Sequence, residues 1–275
     1  MQKQQMERAK DIIETLADMR DENQQQMLCR FFKTGKGEYG EGDKFLGLKV
    51  PQTRAVVKEV RGEISLDEVE ILLFSEWHEV RLCGFLLLVE KMKKALPGKR
   101  LSALLQKSSF DELENKLTEQ AKFLANERQR IVDFYLKNAR QANNWDLVDL
   151  SCEYIIGLWL LHPRADGTMP DRSLLDHLAE SDNLWEQRMS IVSTLTLIRA
   201  RQFDDTIRIA SKLLLHHHDL IHKAVGWMLR EVGKRDVDVL RGFLAEYATA
   251  MPRTMLRYAI EKMDEEERKY WLGRA

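Results

Sequence analysis

Trp145 and Asp149 stand four residues apart in the stretch Asn144-Trp145-Asp146-Leu147-Val148-Asp149. On a helix that spacing puts an indole and a carboxylate one above the other on a single face. Two further stretches carry related side chains, Trp185-Glu186-Gln187-Arg188 and Lys223-Ala224-Val225-Gly226-Trp227. Asp149 lies 39 residues before Arg188, and Arg188 lies 39 before Trp227, close to the roughly 40-residue period of stacked helix-pair repeats. In such an array equivalent positions align, so an anion, a cation and an indole come side by side across consecutive repeats. That combination suits a cleft better than a core.

Taken singly, each residue has a structural alternative. On a helix beginning near Trp185, the residues Trp185, Arg188, Met189 and Val192 fall along one stripe, so a guanidinium interrupts an apolar surface. Burying it unpaired is expensive, and the alternative is a salt bridge to a neighbouring helix or a snorkelling side chain. Trp145, Trp185 and Trp227 read equally as core anchors, and Asp149 as a solvated position or an ion-pair partner. His216-His217-His218-Asp219 invites a metal, but adjacent histidines on a helix point in different directions, whereas metal sites use i, i+4 pairs or ligands from separate elements. The expectation there is a helix-terminal loop and no metal. The sequence has no G-x-S-x-G elbow and no zinc-deaminase arrangement, which gives no support to nucleophilic serine or cysteine chemistry.

The elements that must position these groups read as helices. Five prolines and 14 glycines punctuate 275 residues, and between them apolar residues recur three and four apart. The expectation is an all-α chain with helices over 3–20, 22–34, 51–60, 66–74, 77–95, 99–107, 110–120, 122–141, 145–161, 171–180, 184–200, 203–216, 219–234, 236–248, 252–262 and 264–272. Val80-Arg81-Leu82-Cys83-Gly84-Phe85 and His222-Lys223-Ala224-Val225-Gly226-Trp227 share a basic residue followed three later by glycine. Such a glycine costs about 1 kcal/mol relative to alanine and is tolerated where a neighbouring helix packs closely, as an α-solenoid requires. Gly35 to Pro51 holds five glycines, with lysines at 36, 44 and 49, and reads as an exposed loop. Its Gly35-Lys36-Gly37-Glu38-Tyr39-Gly40 pattern lacks the preceding strand that a dinucleotide site needs. His162 to Pro170 reads as a repeat-to-repeat connection.

With 44% hydrophobic residues the chain can bury a substantial core. Its 43 basic and 44 acidic side chains nearly cancel, so any polyanion site has to be local. Basic residues gather at Lys91 to Lys94, Lys99-Arg100, Arg199 to Arg201, Arg230, Lys234-Arg235 and Arg253 to Arg257. On a stacked array they either converge on a concave groove or remain solvated surface. Cys29, Cys83 and Cys152 sit singly in apolar stretches, the pattern of reduced core thiols in a cytoplasmic protein. The first 20 residues are too charged for a signal peptide, and apolar runs such as Phe85 to Val89 fall far short of a membrane span.

The stretches at 144–149, 185–188 and KAVGWMLRE at 223–231, together with FLGLKVPQTR at 45–54 and MPRTMLRYAIEK at 251–262, resemble the AlkD-type DNA alkylation repair proteins over essentially the whole chain. The resemblance implies one HEAT-like helical-repeat domain over 1–275, a solenoid whose concave basic groove grips duplex DNA. It also implies a glycosylase that removes positively charged alkylated purines, such as 3-methyladenine and 7-methylguanine, without the base flipping most glycosylases use. On matching positions it places the catalytic carboxylate at Asp149, its flanking aromatics at Trp145 and Trp227, and a backbone-contacting arginine at Arg188, with Lys223 and Arg230 as further DNA-binding residues. No cofactor and no metal is implied. The expected partner is duplex DNA containing alkylated bases, and the expected species is a cytoplasmic monomer with no membrane role. A noncatalytic repeat protein that binds DNA and a protein-interaction scaffold stand as alternatives.

Overall fold

The computed structural model describes residues 2–60, 64–98 and 111–274, with the backbone alone at 2–7 and 111–118. The helix expected at 99–107 lies outside the described residues. Every regular element among those described is helical, and the one extended contact is an isolated bridge between Lys44 and Trp77. The chain forms two compact units, Met1–Ser151 with Pro163–Thr168, and Cys152–His162 with Met169–Ala275.

The first unit contains α1 (Gln2–Asp18), α2 (Glu22–Phe31), α3 (Val50–Val60), α4 (Leu66–Leu73), α5 (His78–Lys94), α6 (Asp111–Lys137) and α7 (Trp145–Asp149). Local chemistry fixes several starts. Asp21 Oδ1 accepts the Gln24 N–H at 2.9 Å to cap α2, and Ser65 and Glu68 form a capping box at α4, each satisfying N–H groups that a helix start leaves open. From Leu82 to Val89, α5 is apolar on every side and buried throughout, as a helix packed against α1, α3, α4 and α6 must be. Its polar head, His78, Glu79 and Arg81, is buried with it, and those groups must find partners inside the protein.

The expectation of an exposed loop at Gly35 to Pro51 holds only for its first half. Phe45, Leu46 and Leu48 are buried, because the Glu79 carboxylate accepts the amide N–H groups of Leu46, Gly47 and Leu48 at 2.8, 2.9 and 2.9 Å. Gly47 has φ 94° and leaves no room for a Cβ against the Asp21 carbonyl, so the loop lies directly on the start of α2.

The second unit opens with a π turn at Glu153–Gly157 and runs through α8 (Leu158–Leu160), α9 (Leu174–Ala179), α10 (Leu184–Val192), α11 (Thr194–Arg199), α12 (Asp204–Lys212), α13 (Asp219–Gly233), α14 (Val237–Tyr247), α15 (Arg253–Ala259) and α16 (Glu265–Arg274). The helix expected over 145–161 is broken after Asp149. The Ser151 hydroxyl donates back to the Leu147 carbonyl at 2.5 Å, a bond that bends helices, and the π turn follows. Helix α9 packs on α10, α10 on α13, and α13 on α14 and α15. A Cβ at Gly226 would lie 2.5 Å from both the Met255 carbonyl oxygen and the Tyr258 Cβ, and one at Gly84 would lie 2.8 Å from Leu73 Cδ2. Glycine at both positions thus permits close helix approach, and successive helices packed on one another give the expected all-α helical-repeat architecture.

Candidate functional site

Helix α7 begins where Asn144 Oδ1 accepts the Trp145 N–H at 2.9 Å. Asp146, Leu147 and Val148 turn inward and are buried, whereas Trp145 and Asp149 are half-buried. Both border a cavity of about 430 Å³ whose wall also includes Phe31, Phe32, Phe45 and His78. Trp145 stacks on Phe32, with ring centroids 5.2 Å apart and an interplanar angle of 24°, and meets the edge of Phe31 at 5.8 Å. Phe32 continues the stack onto Phe45 at 5.0 Å. An aromatic wall with a carboxylate at its margin favours a flat group carrying positive charge, through ring quadrupoles and the anion together.

Behind this wall lies a charged network that the sequence reading missed. His78 Nδ1 is 2.7 Å from Asp43 Oδ2 and its Nε2 is 2.9 Å from Asp146 Oδ2, all three side chains being buried. Arg81 donates to the other oxygen of Asp43, to the Ser75 carbonyl at 2.8 Å and to Asn143 Oδ1 at 3.1 Å. Burial alone would drive the imidazole neutral, but the charge and hydrogen bond of Asp146, with those of Asp43, outweigh it and raise His78 to about 9. Burial likewise opposes ionisation of Asp43, yet His78 and Arg81 together hold its carboxyl below the ordinary range. Two anions and two cations balance, which is how a buried cluster of charges avoids an uncompensated ion. The available signal was three polar residues, His78, Glu79 and Arg81, heading a helix that is otherwise apolar all round.

The second unit carries the other expected positions. Arg188 is 6% exposed and donates to the Leu220 carbonyl at 2.5 Å, so α10 meets α13 through it, seven residues or about two turns before Trp227. The Leu220 carbonyl is thus an internal partner of the guanidinium. Trp185 is buried as a core anchor. Lys223, Trp227 and Arg230 are all half-buried and, at spacings of four and three, share one stripe of α13 opposite the buried Ala224, Val225, Met228 and Leu229. Lys223 pairs with Asp219 at 2.7 Å, and Arg230 with Glu261. The histidine run is the expected helix-terminal loop: His218 Nδ1 accepts the Leu220 N–H at 3.1 Å to cap α13, and His216 Nε2 meets Gln187 Oε1 at 2.9 Å. Among the described residues no helix is long and apolar enough to cross a membrane.

In the comparison with solved structures, the chain is similar to a predicted DNA alkylation repair enzyme from Enterococcus faecalis, with a TM-score of 0.59 at 15% identity, covering 90% of this chain and 97% of that one. At that identity the likeness establishes the fold. No curated protein matches the sequence. The family model described as DNA alkylation repair enzyme matches residues 12–263, a span that takes in Asp149, Arg188 and Trp227 alike, and the chain belongs to that family.

Proposed function

We propose that the protein is a DNA glycosylase that hydrolyses the N-glycosidic bond of cationic alkylated purines, of the 3-methyladenine and 7-methylguanine type, in duplex DNA. Membership of an alkylation repair family supports the substrate class. The observation that carries the reading is the shared face of Trp145 and Asp149 at the margin of one aromatic-walled cavity. A purine alkylated at N3 or N7 is already positive, so it departs as a neutral base without a general acid, and the chemistry requires neither metal nor cofactor. Charge passes to the deoxyribose as an oxocarbenium-like species, which Asp149 stabilises while orienting the attacking water. At roughly 4 Å and an effective dielectric near 20, opposite unit charges attract by about 4 kcal/mol, on the order of a thousandfold in rate. The Trp145 ring adds about 1 kcal/mol by facing the developing cation.

On the strength of the family resemblance, Trp227 is proposed as a second catalytic aromatic, and Arg188, Lys223 and Arg230 as DNA contacts. For Lys223 and Arg230 a phosphate would replace the carboxylates of Asp219 and Glu261, each anion accepting charge-assisted hydrogen bonds from the same donors. The direct test is single-turnover release of 7-methylguanine from methylated duplex. Asp149→Asn keeps the shape and removes the charge, so excision should fall about a thousandfold while duplex affinity stays unchanged. A variant as active as the parent rejects the assignment, and a parent that binds duplex yet releases no base is a noncatalytic binder.

A further inference from the structure

Helix α7 is five residues long, far too short to hold its own direction. What orients Trp145 and Asp149 is therefore whatever grips this turn from outside. On one side the grip is the stack of Trp145 on Phe32. On the other it is Asp146, whose Oδ1 accepts the Leu147 N–H at 2.9 Å while its Oδ2 takes the bond from His78. His78 is anchored in turn: its ring lies on Phe45 with centroids 4.3 Å apart, and its second nitrogen holds Asp43. Asp43 is fixed by Arg81, which reaches on to Asn143, two residues before Trp145.

Carboxylate oxygens only accept, and one faces each ring nitrogen, so His78 satisfies both partners only when both nitrogens carry protons. Removing one proton sets a lone pair against a buried anion, which is repelled and left without its donor. Asp43 has Arg81 to hold it. Asp146 belongs to the short turn, so the turn is what gives way.

We propose that His78 is the positioning residue of the site: as an imidazolium bridging Asp43 and Asp146 it sets the orientation of Trp145 and Asp149, and loss of its ring proton swings α7 and disables the Asp149 carboxylate. The inference deepens the glycosylase reading and rests on it. The charged groups around the ring are Asp43 in the loop, Asp146 on α7, Arg81 and Glu79 on α5, and Lys49 and Asp149 across the cavity, while α2 contributes the apolar ring of Phe32. With His78 raised to about 9, the site holds its active arrangement through neutrality and loses it on the alkaline side.

The test uses the full chain labelled with nitrogen-15 histidine and 5-fluorotryptophan, titrated through the alkaline range beside single-turnover excision of 7-methylguanine, with Asp146→Asn as the variant. His78 should show two protonated ring nitrogens at neutral pH. The Trp145 fluorine resonance, assigned with Trp145→Phe, should move with the ring's titration, and the excision rate should fall with the same midpoint. Asp146→Asn should keep duplex affinity, lower that midpoint by about one unit or more, cut neutral excision about tenfold and carry the alkaline limb of the rate profile with it. A singly protonated His78 at neutral pH, or a Trp145 resonance indifferent to the titration, overturns the proposal, and the wild-type titration reads this even if the variant fails to fold. Coupled movement of His78 and Trp145 in a protein that releases no base rejects the glycosylase reading alone.

Discussion

Glu79 is the single carboxylate on which the amides of Leu46, Gly47 and Leu48 all depend, and it sits one residue from His78 at the cavity wall. Replacing it with glutamine removes the charge and turns an N–H₂ group toward a backbone N–H, leaving a buried donor unpaired. Glu79→Gln should cost about 3 kcal/mol, read from the urea midpoint, and should free the 45–48 loop to exchange its amide protons. A loss below about 0.5 kcal/mol would show that the loop is held by its apolar side chains instead. The same neighbourhood marks what sequence could and could not reveal. A four-residue spacing sufficed to place Trp145 and Asp149 on one face, because helix geometry is local. Asp43 and Asp146 lie 35 and 68 residues from His78, and no spacing rule spans such distances. For Arg188 the sequence left a phosphate contact and an internal partner both open, and the bond to the Leu220 carbonyl supplies an internal partner.

Among the helices, close approach is set by glycine in two different ways. At Gly226 the obstacle to a Cβ is the Met255 carbonyl and the Tyr258 Cβ, whereas at Gly84 the nearest atom is the tip of Leu73. Backbone cannot move aside as a leucine methyl can. Gly226→Ala should therefore destabilise by about 2 kcal/mol or more, despite alanine's helix propensity of about 1 kcal/mol over glycine, and Gly84→Ala should come out near neutral. Equal urea midpoints for the two variants would contradict the packing argument. The shared basic-x-x-glycine pattern was legible because it recurs in sequence. The break after Asp149 was not, since Trp145 to Leu161 keeps a helical period throughout; the interruption comes from a serine hydroxyl bonding backwards and from a π turn, and neither leaves a mark in hydrophobic spacing.

Over the whole molecule the charges sum to −1, so the pH response of stability reports individual buried groups. A histidine in the unfolded chain titrates near 6.5, and His78 in the fold at about 9. The folded state holds the extra proton between these values, so the contribution is complete below pH 6.5 and is lost as pH rises through about 9. Its size is on the order of 3 kcal/mol. Burial pushes the Cys83 thiol up from its ordinary 9.0 to about 12, which acts in the same direction but at higher pH. The urea midpoint should fall steadily from neutral toward pH 9, and a flat profile there would mean that the ring does not keep its proton.

Arg128 has a consequence for the order in which the polypeptide is finished on the ribosome. Its guanidinium donates to the Ala95 carbonyl and to the Pro163 carbonyl, each at 2.8 Å, and it is buried. Pro163–Thr168 belongs to the first unit although Cys152–His162, which precedes it, belongs to the second. During synthesis, then, the amino-terminal half lacks the second of these bonds until Pro163 has followed eleven residues of its successor. A gene cut at codon 151 would release a fragment permanently missing that last stitch.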